Sequence, residues 1–359
     1  MLIKNICRSY NLSGPLKAPF SIRIDTAGNI SAVGDIPDTP EPERIVDATG
    51  LCISPGWIDL HTHIYQGVSD AGIDPDLIGP AQGVSVLVDA GSAGHITFPG
   101  LRDYIIKKRN YEIYAFLNYG SIGITRANYI GDFETDAFIQ PRETLACIEQ
   151  NRSYIRGLKV RACKAVLKGR LGCELVKAAA DLAQEAKAPL MVHIGEPGPR
   201  LEDILKTLHQ GDIVTHSFHS KGNIVDPSTG KIIQAAYAAR ERGVLFDVGH
   251  GAASFDIDIG RKSIAQGFKP DLVSTDLYAR SFPKPVESLA VTMTKMISCG
   301  LEPEEVIDMV TRRAAGVLGL DRRGLEQGCR ACFTLFKITD HIQIEPVMTI
   351  LGADTYGAS

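Results

Sequence analysis

Eight short apolar runs recur along the middle of this chain, and helix-like segments follow most of them. The runs are 53–63 (ISPGWIDLHTH), 84–90 (VSVLVDA), 113–119 (IYAFLNY), 155–162 (IRGLKVRA), 189–194 (PLMVHI), 213–218 (IVTHSF), 244–249 (VLFDVG) and 272–277 (LVSTDL). The clearest intervening helix is CELVKAAADLAQEAK, where Leu175, Val176, Ala179, Leu182, Ala183 and Ala186 form one stripe at helical spacing. Continuous apolar strands between helices are the pattern of a parallel sheet covered on both faces. Eight such β/α units over roughly 260 residues predict an α/β fold of the TIM (β/α)8 barrel type. An open doubly wound sheet is the rival. It usually carries a glycine-rich phosphate fingerprint after its first strand, and none occurs here.

The two ends of the chain read differently. SIRIDTAGNISAVG alternates and turns at Ala27-Gly28-Asn29, a hairpin signal, and DIPDTPEPER is a proline-rich loop. Near the other end, CFTLFKI is β-rich between glycine-punctuated turns. We expect a composite β-sandwich from 1–54 plus 321–359, and a barrel over 55–320. With 359 residues and a formal charge of −4, the chain has no basic footprint for nucleic acid and no polybasic membrane patch. No apolar run approaches the roughly 20 residues that span a bilayer, and the N-terminus lacks a signal-peptide pattern, so a cytoplasmic location is expected. Eight scattered cysteines suggest reduced thiols, and Cys329-Arg-Ala-Cys332 reads as structural because no second pair accompanies it.

Chemistry in a barrel of this kind gathers at the C-terminal ends of the strands. The first strand carries PGWIDLHTHIYQG, in which Asp59, His61 and His63 share one face at two-residue spacing. Alone, the stretch is compatible with a metal site, a base with a helper, or a tolerant strand end. The other ends add Lys159 and Arg161, then His193, His216, His250 and Asp276. Five of the nine histidines thus fall at or just past strand ends. An aspartate, a lysine and several histidines converging on one rim are what a hydrolytic metal site needs.

In that order these residues resemble the amidohydrolase superfamily. PGWIDLHTH is similar to its first-strand signature, and the remaining order is similar to its subtype with two metals and a carboxylated lysine. TRRAAGVLGL followed by GLEQGCRACFTLF resembles its exit from barrel to sandwich, with Ala331-Cys332 where Ala-Asp is common. The resemblance implies that His61, His63 and Asp276 hold one ion and His193 and His216 the other. A CO2-derived carbamate on Lys159 would bridge them. Lys164 competes for that role, but strand periodicity puts Lys159 on one face with Arg161 and Cys163, and Lys164 beyond the strand. The ions expected are Zn2+, with Mn2+, Fe2+ or Co2+ also fitting the ligands. A hydroxide shared by the two ions is the expected nucleophile, with Asp276 as base and then acid. Asp59, deeper on the same face, reads as a supporting carboxylate.

For the substrate, Arg161 is a candidate clamp for a carboxylate. His219 and His250 are candidate donors to an oxyanion, and Asn118 and Tyr119 candidate pocket-lining residues. His95 has a weaker claim, and His209 and His341 none. GLKVR and THSFH resemble the dihydroorotase-like and deacetylase group. This implies a deacetylase-type hydrolase acting on the amide or ester bond of a small acylated carboxylate. A dihydroorotase or hydantoin hydrolase is the alternative, a deaminase is set further off because of Lys159, and a non-catalytic scaffold would have lost ligands. The expected partner is a small molecule, with homo-oligomers possible.

Overall fold

The computed structural model describes all residues except 13–16, 38–42, 127–128, 134, 164–172, 196–197, 222–223, 322–323 and 359. Half of the proline-rich loop, residues 38–42, and Lys164 therefore lie outside the described residues. The N-terminal strands are β1 (Leu2–Ile6), β2 (Arg8–Ser9), β3 (Phe20–Ile24), β4 (Ile30–Gly34), β5 (Ile45–Asp47) and β6 (Cys52–Pro55). In β3 the side chains alternate, with Phe20, Ile22 and Ile24 buried and the residues between them partly exposed, as one face of a sheet over a core requires. β3 and β4 form the expected hairpin, antiparallel across the turn at residues 25–29.

The barrel strands are β7 (Trp57–Thr62), β8 (Val84–Ala90), β9 (Glu112–Asn118), β10 (Ile155–Ala162), β11 (Leu190–Ile194), β12 (Ile213–Thr215) and β13 (Leu245–Phe246). The chain then ends in β14 (Cys332–Ile338), β15 (Ile344–Leu351) and β16 (Asp354–Gly357). Among the described residues three sheets result. One has the order β4-β3-β1-β5, another the order β16-β15-β14-β6-β2, and β7 to β13 lie side by side in sequence order, all parallel. The first of these is built from N-terminal strands alone, the second draws strands from both chain ends, and the two share a core of Ile3, Ile22, Ile53, Phe333, Leu335 and Ile350.

The parallel sheet closes on itself through the eighth run. That run makes two isolated parallel bridges, Asp247 with Leu272 and Thr62 with Leu277, in place of the strand expected over 272–277. Two causes are visible. The Thr275 backbone N–H donates to Asp59 Oδ1 at 3.1 Å, so it is withdrawn from the ladder. Asp276 sits at φ 49°, outside the extended region. β12 likewise stops before its expected end, because His216 sits at φ 67°. At the opposite end, helix Arg312–Leu318 packs Ala314, Ala315 and Leu318 against Ile58, Leu60 and Val86. This helix floors the barrel, so the strands' C-terminal ends form the mouth.

Sandwich and barrel are joined at Trp57, which is fully buried. Its indole N–H donates to Ser54 Oγ at 3.0 Å, and its ring lies 5.5 Å from that of Phe336 on β14. The strand that carries His61 is thus anchored just below by the last strands of the chain.

Candidate metal centre and its rim

His61 lies in β7 and His63 directly follows its last residue, at the two-residue spacing of a strand, so both rings enter the barrel mouth. Their Nε2 atoms lie 3.3 and 3.2 Å from Asp276 Oδ1. His216 Nε2 lies 3.9 Å from Asp276 Oδ2 and 2.9 Å from His193 Nδ1. Lys159 is wholly buried, with Nζ 3.1 Å from His61 Nε2 and 3.3 Å from Met191 Sδ. One ligating atom each from His61, His216 and Asp276 lie within 4.8 Å of one another. The geometry therefore gathers all six candidate ligands from β7, β10, β11, the end of β12 and the eighth run.

What fits this cluster to a cation is where the far side of each ring is tied. Thr215 Oγ1 donates its one proton to Asp247 Oδ2 at 2.7 Å, so at its 3.0 Å contact with His61 Nδ1 it accepts. His216 Nδ1 donates to Gly249 O at 2.6 Å. Both rings are thereby fixed with Nε2 unprotonated and turned inward, the tautomer a metal ligand needs. His63 Nδ1 is bonded to Ser92 Oγ at 3.0 Å. Four imidazoles, a carboxylate and a buried amine form a donor set suited to zinc and its first-row neighbours once the amine is masked.

Electrostatics point the same way. Burial, then the positive charge of Lys159, holds His61 well below the ordinary imidazole range; burial and His216 do the same for His193. His216 is pushed down to about 4 by burial, against the pull of Asp276. Burial lowers Lys159 to about 7, opposed by Asp276 and Asp247. For Asp276, burial alone would raise the carboxyl. The hydrogen bond from His63 and the charges of His216, His63 and Lys159 outweigh it and hold the group below the usual carboxylate range.

Strain marks the same positions. His216 and Asp276 are non-glycine residues in the left-handed region, a conformation kept only where the surroundings enforce it. Gly249, at φ 48°, is required beside them: a Cβ there would lie 2.1 Å from Thr215 Oγ1. Gly91 plays the same part under Lys159, since its Cβ would come 2.7 Å from Lys159 Cγ.

The rim residues meet different fates. Arg161 gives Nε and Nη2 to Asp132 at 2.9 and 2.7 Å, a buried bidentate pair that leaves Nη1 as the edge not held by Asp132. Asn118 is spent on the same structure, donating to Asp132 and to Gly91 O and accepting from Gly120 N. Tyr119 is buried in the hydrophobic core against Phe133. His250 has both nitrogens committed: Nδ1 donates to Gly251 O at 2.8 Å, and Nε2 accepts from Lys295 Nζ at 2.9 Å. His219 is the exception. Its Nδ1 accepts from the Lys221 backbone N–H at 3.0 Å, so the proton is on Nε2, and that atom is buried with no partner among the described residues. His95 is bonded to Gln140 on the approach to helix Pro141–Gln150, His209 is 3.6 Å from Asp212 Oδ2, and His341 is exposed in a turn.

Several residues that build the site escaped sequence reasoning. Thr215 precedes a ligand, and Asp247 ends a strand run, so a search for polar residues at strand ends would have found both. Asp132 sits in a loop and Lys295 in helix Leu289–Ser298; nothing in their local sequence marks them. Asp59 accepts from His61 N and from Thr275 N and Oγ1, tying the first strand to the eighth run.

Comparison with known proteins agrees with this architecture. The amidohydrolase family model matches residues 52–354. A deacetylase of Agrobacterium fabrum, Atu3266, is 40% identical over 96% of this chain and 89% of its own length. A deacetylase of Brucella anthropi is 39% identical over 95% of this chain and 89% of its own. A crystal structure described as a dihydroorotase superposes with a TM-score of 0.91 at 36% identity, covering 100% of this chain and 97% of that one. One described as an adenine deaminase gives 0.88 at 30%, covering 99% of each. The chain belongs to the amidohydrolase family. It is a hydrolase with that family's TIM barrel and β-sandwich.

Proposed function

We propose that this protein is a metal-dependent deacetylase that cleaves the amide or ester bond of a small acylated carboxylate. In this reading His61, His63 and Asp276 hold one divalent ion and His193 and His216 a second. Lys159, carrying a CO2-derived carbamate, lies between them, because a bare ammonium among these rings would repel a cation. Zn2+ is the ion best matched to the ligands, ahead of Mn2+, Fe2+ and Co2+. The catalytic unit is assigned to 55–320 and the composite sandwich to 1–54 plus 321–359. Eight cysteines, none of them in a disulfide, fit a reducing compartment such as the cytoplasm.

Divalent ions in such a site lower the pKa of water to about 7 and polarise a carbonyl. The side chains supply the rest. Asp276 takes the proton of the attacking water and passes it to the leaving nitrogen or oxygen. His219 offers its unpaired Nε2–H to the carbonyl oxygen as negative charge builds there. Held neutral by burial, which pushes it down to about 4, it donates without adding a charge that would repel the ions. Arg161, immobilised by Asp132, presents Nη1 toward a substrate carboxylate.

The observation that carries the reading is the six-residue ligand cluster, in a chain about 40% identical to two named deacetylases. The likeness to a structure called a dihydroorotase favours cyclic amides as the second reading. A hydrolysis screen with added Zn2+ or Mn2+ separates them. Turnover of N-acetyl amino acids or O-acetyl hydroxy acids is expected. Turnover of dihydroorotate or hydantoins alone would replace the deacetylase reading with the cyclic one.

A further inference from the structure

Well apart from the chemistry of the barrel mouth, the break between β1 and β2 brings two thiols together. Cys7 lies in that break and Cys52 opens β6, and their Sγ atoms are 4.0 Å apart at a sequence separation of 45. Cys7 is exposed and Cys52 buried. The surrounding ladder sets the spacing. Cys7 N donates to Leu51 O at 3.0 Å, and Arg8 is in parallel register with Cys52. One step across the sheet and one along it place the two Cα atoms about 6 Å apart, inside the window that a disulfide spans without backbone movement. Cys7 Sγ also donates to Leu51 O at 2.7 Å, a bond that closing the disulfide exchanges for the S–S bond. Both thiols line one cavity of about 680 Å³, beside Arg8, Tyr10 and the turn at Gly300–Pro303, which gives a small oxidant room to reach them.

We propose that Cys7 and Cys52 are a reversible oxidation site, closed to a disulfide by a hydroperoxide and reopened by a thiol reductant. The exposed Cys7, as thiolate, attacks the peroxide oxygen. The O–O bond breaks, an alkoxide or hydroxide leaves, and Cys7 becomes a sulfenic acid. Cys52 then attacks that sulfur as its thiolate. The S–S bond forms, the S–O bond breaks, and the departing hydroxide takes up the Cys52 proton as water. Two thiols have lost two protons and two electrons, and the hydroperoxide has been reduced by the same two electrons. Burial pushes the Cys52 thiol up to about 12, so the second step is the slower one. The bond ties the short strand β2 to β6, five residues before the strand that carries His61.

The test exposes the metal-loaded protein to hydrogen peroxide, alkylates the remaining thiols and maps the peptides by mass. The expected product is a Cys7–Cys52 linked pair, about 2 Da lighter than the two reduced peptides and reversed by dithiothreitol. Cys52→Ser should instead leave Cys7 as a sulfenic acid that a dimedone probe captures. The oxidised wild type should melt a few degrees above its reduced form, because the cross-link closes a long loop, and oxidised Cys7→Ser should show no such rise. If wild-type Cys7 is oxidised while Cys52 stays fully alkylatable, or if Cys329 and Cys332 pair instead, the proposal is overturned. An unchanged or lower melting temperature of the linked form would remove the tie between β2 and β6 as its consequence.

Discussion

The inner and outer rings of the barrel mouth use the same residue types in opposite ways. In the inner ring, His61, His63 and His216 tie Nδ1 to Thr215, Ser92 and Gly249 O, and so turn Nε2 into the centre. In the outer ring, polar groups are mostly consumed by neighbours. Arg161 is forked onto Asp132, and His250 is closed between Gly251 O and Lys295. Among the described residues of this ring, His219 keeps a buried donor without a partner. His219 and His250 are both pushed to about 4 by burial, so charge does not distinguish them. Their hydrogen-bond partners do. A ring is available for chemistry when its Nε2 meets other candidate ligands, as in His61 and His216, or no described partner, as in His219, whereas His250 gives Nε2 to a lysine from outside the site.

The sharpest way to break this contrast begins in the inner ring. Lys159→Met keeps a similar volume while deleting the amine, and should abolish both bound metal and turnover. Full metal content by elemental analysis would refute the bridging role. Next in size, His219→Phe should lower kcat by about 10²–10³-fold, the cost of losing one oxyanion donor, with metal content unchanged. The same change at His250 should cost far less, and equal losses at the two positions would erase the distinction between them. Thr215→Val removes the hydroxyl that orients His61. It should weaken metal affinity by about 10–100-fold in a chelator competition, while kcat at saturating metal recovers. The smallest effect is expected from Lys295→Met, which opens the far side of His250. Less than about tenfold in kcat/KM is expected, because the Nε2 it frees is an acceptor and the oxyanion donor remains His219.

Much of this arrangement was legible in the residues. The run 84–90 is buried at every position, as a continuous apolar strand in a covered parallel sheet must be. The two-residue spacing of His61 and His63 needs only a strand to place both on one face. The eighth run was misjudged as a full strand, because its pairing is set by Asp59, 216 residues away. Tyr119, a strand-end residue expected near the pocket, is instead core, since side chains beyond a strand take whichever side the next loop covers.

The sequence by itself determined the period of the strands, the identity of the inward polar residues and hence the class of fold and chemistry, because these follow from local geometry and residue type. Which histidine nitrogen carries a proton, which guanidinium edge is spent, and which of two buried rings still has a donor to give were decided only by the tertiary structure. Each depends on a partner from another element, Thr215 for His61, Asp132 for Arg161 and Lys295 for His250, and a hydrogen bond exists only where folding brings both atoms within about 3 Å.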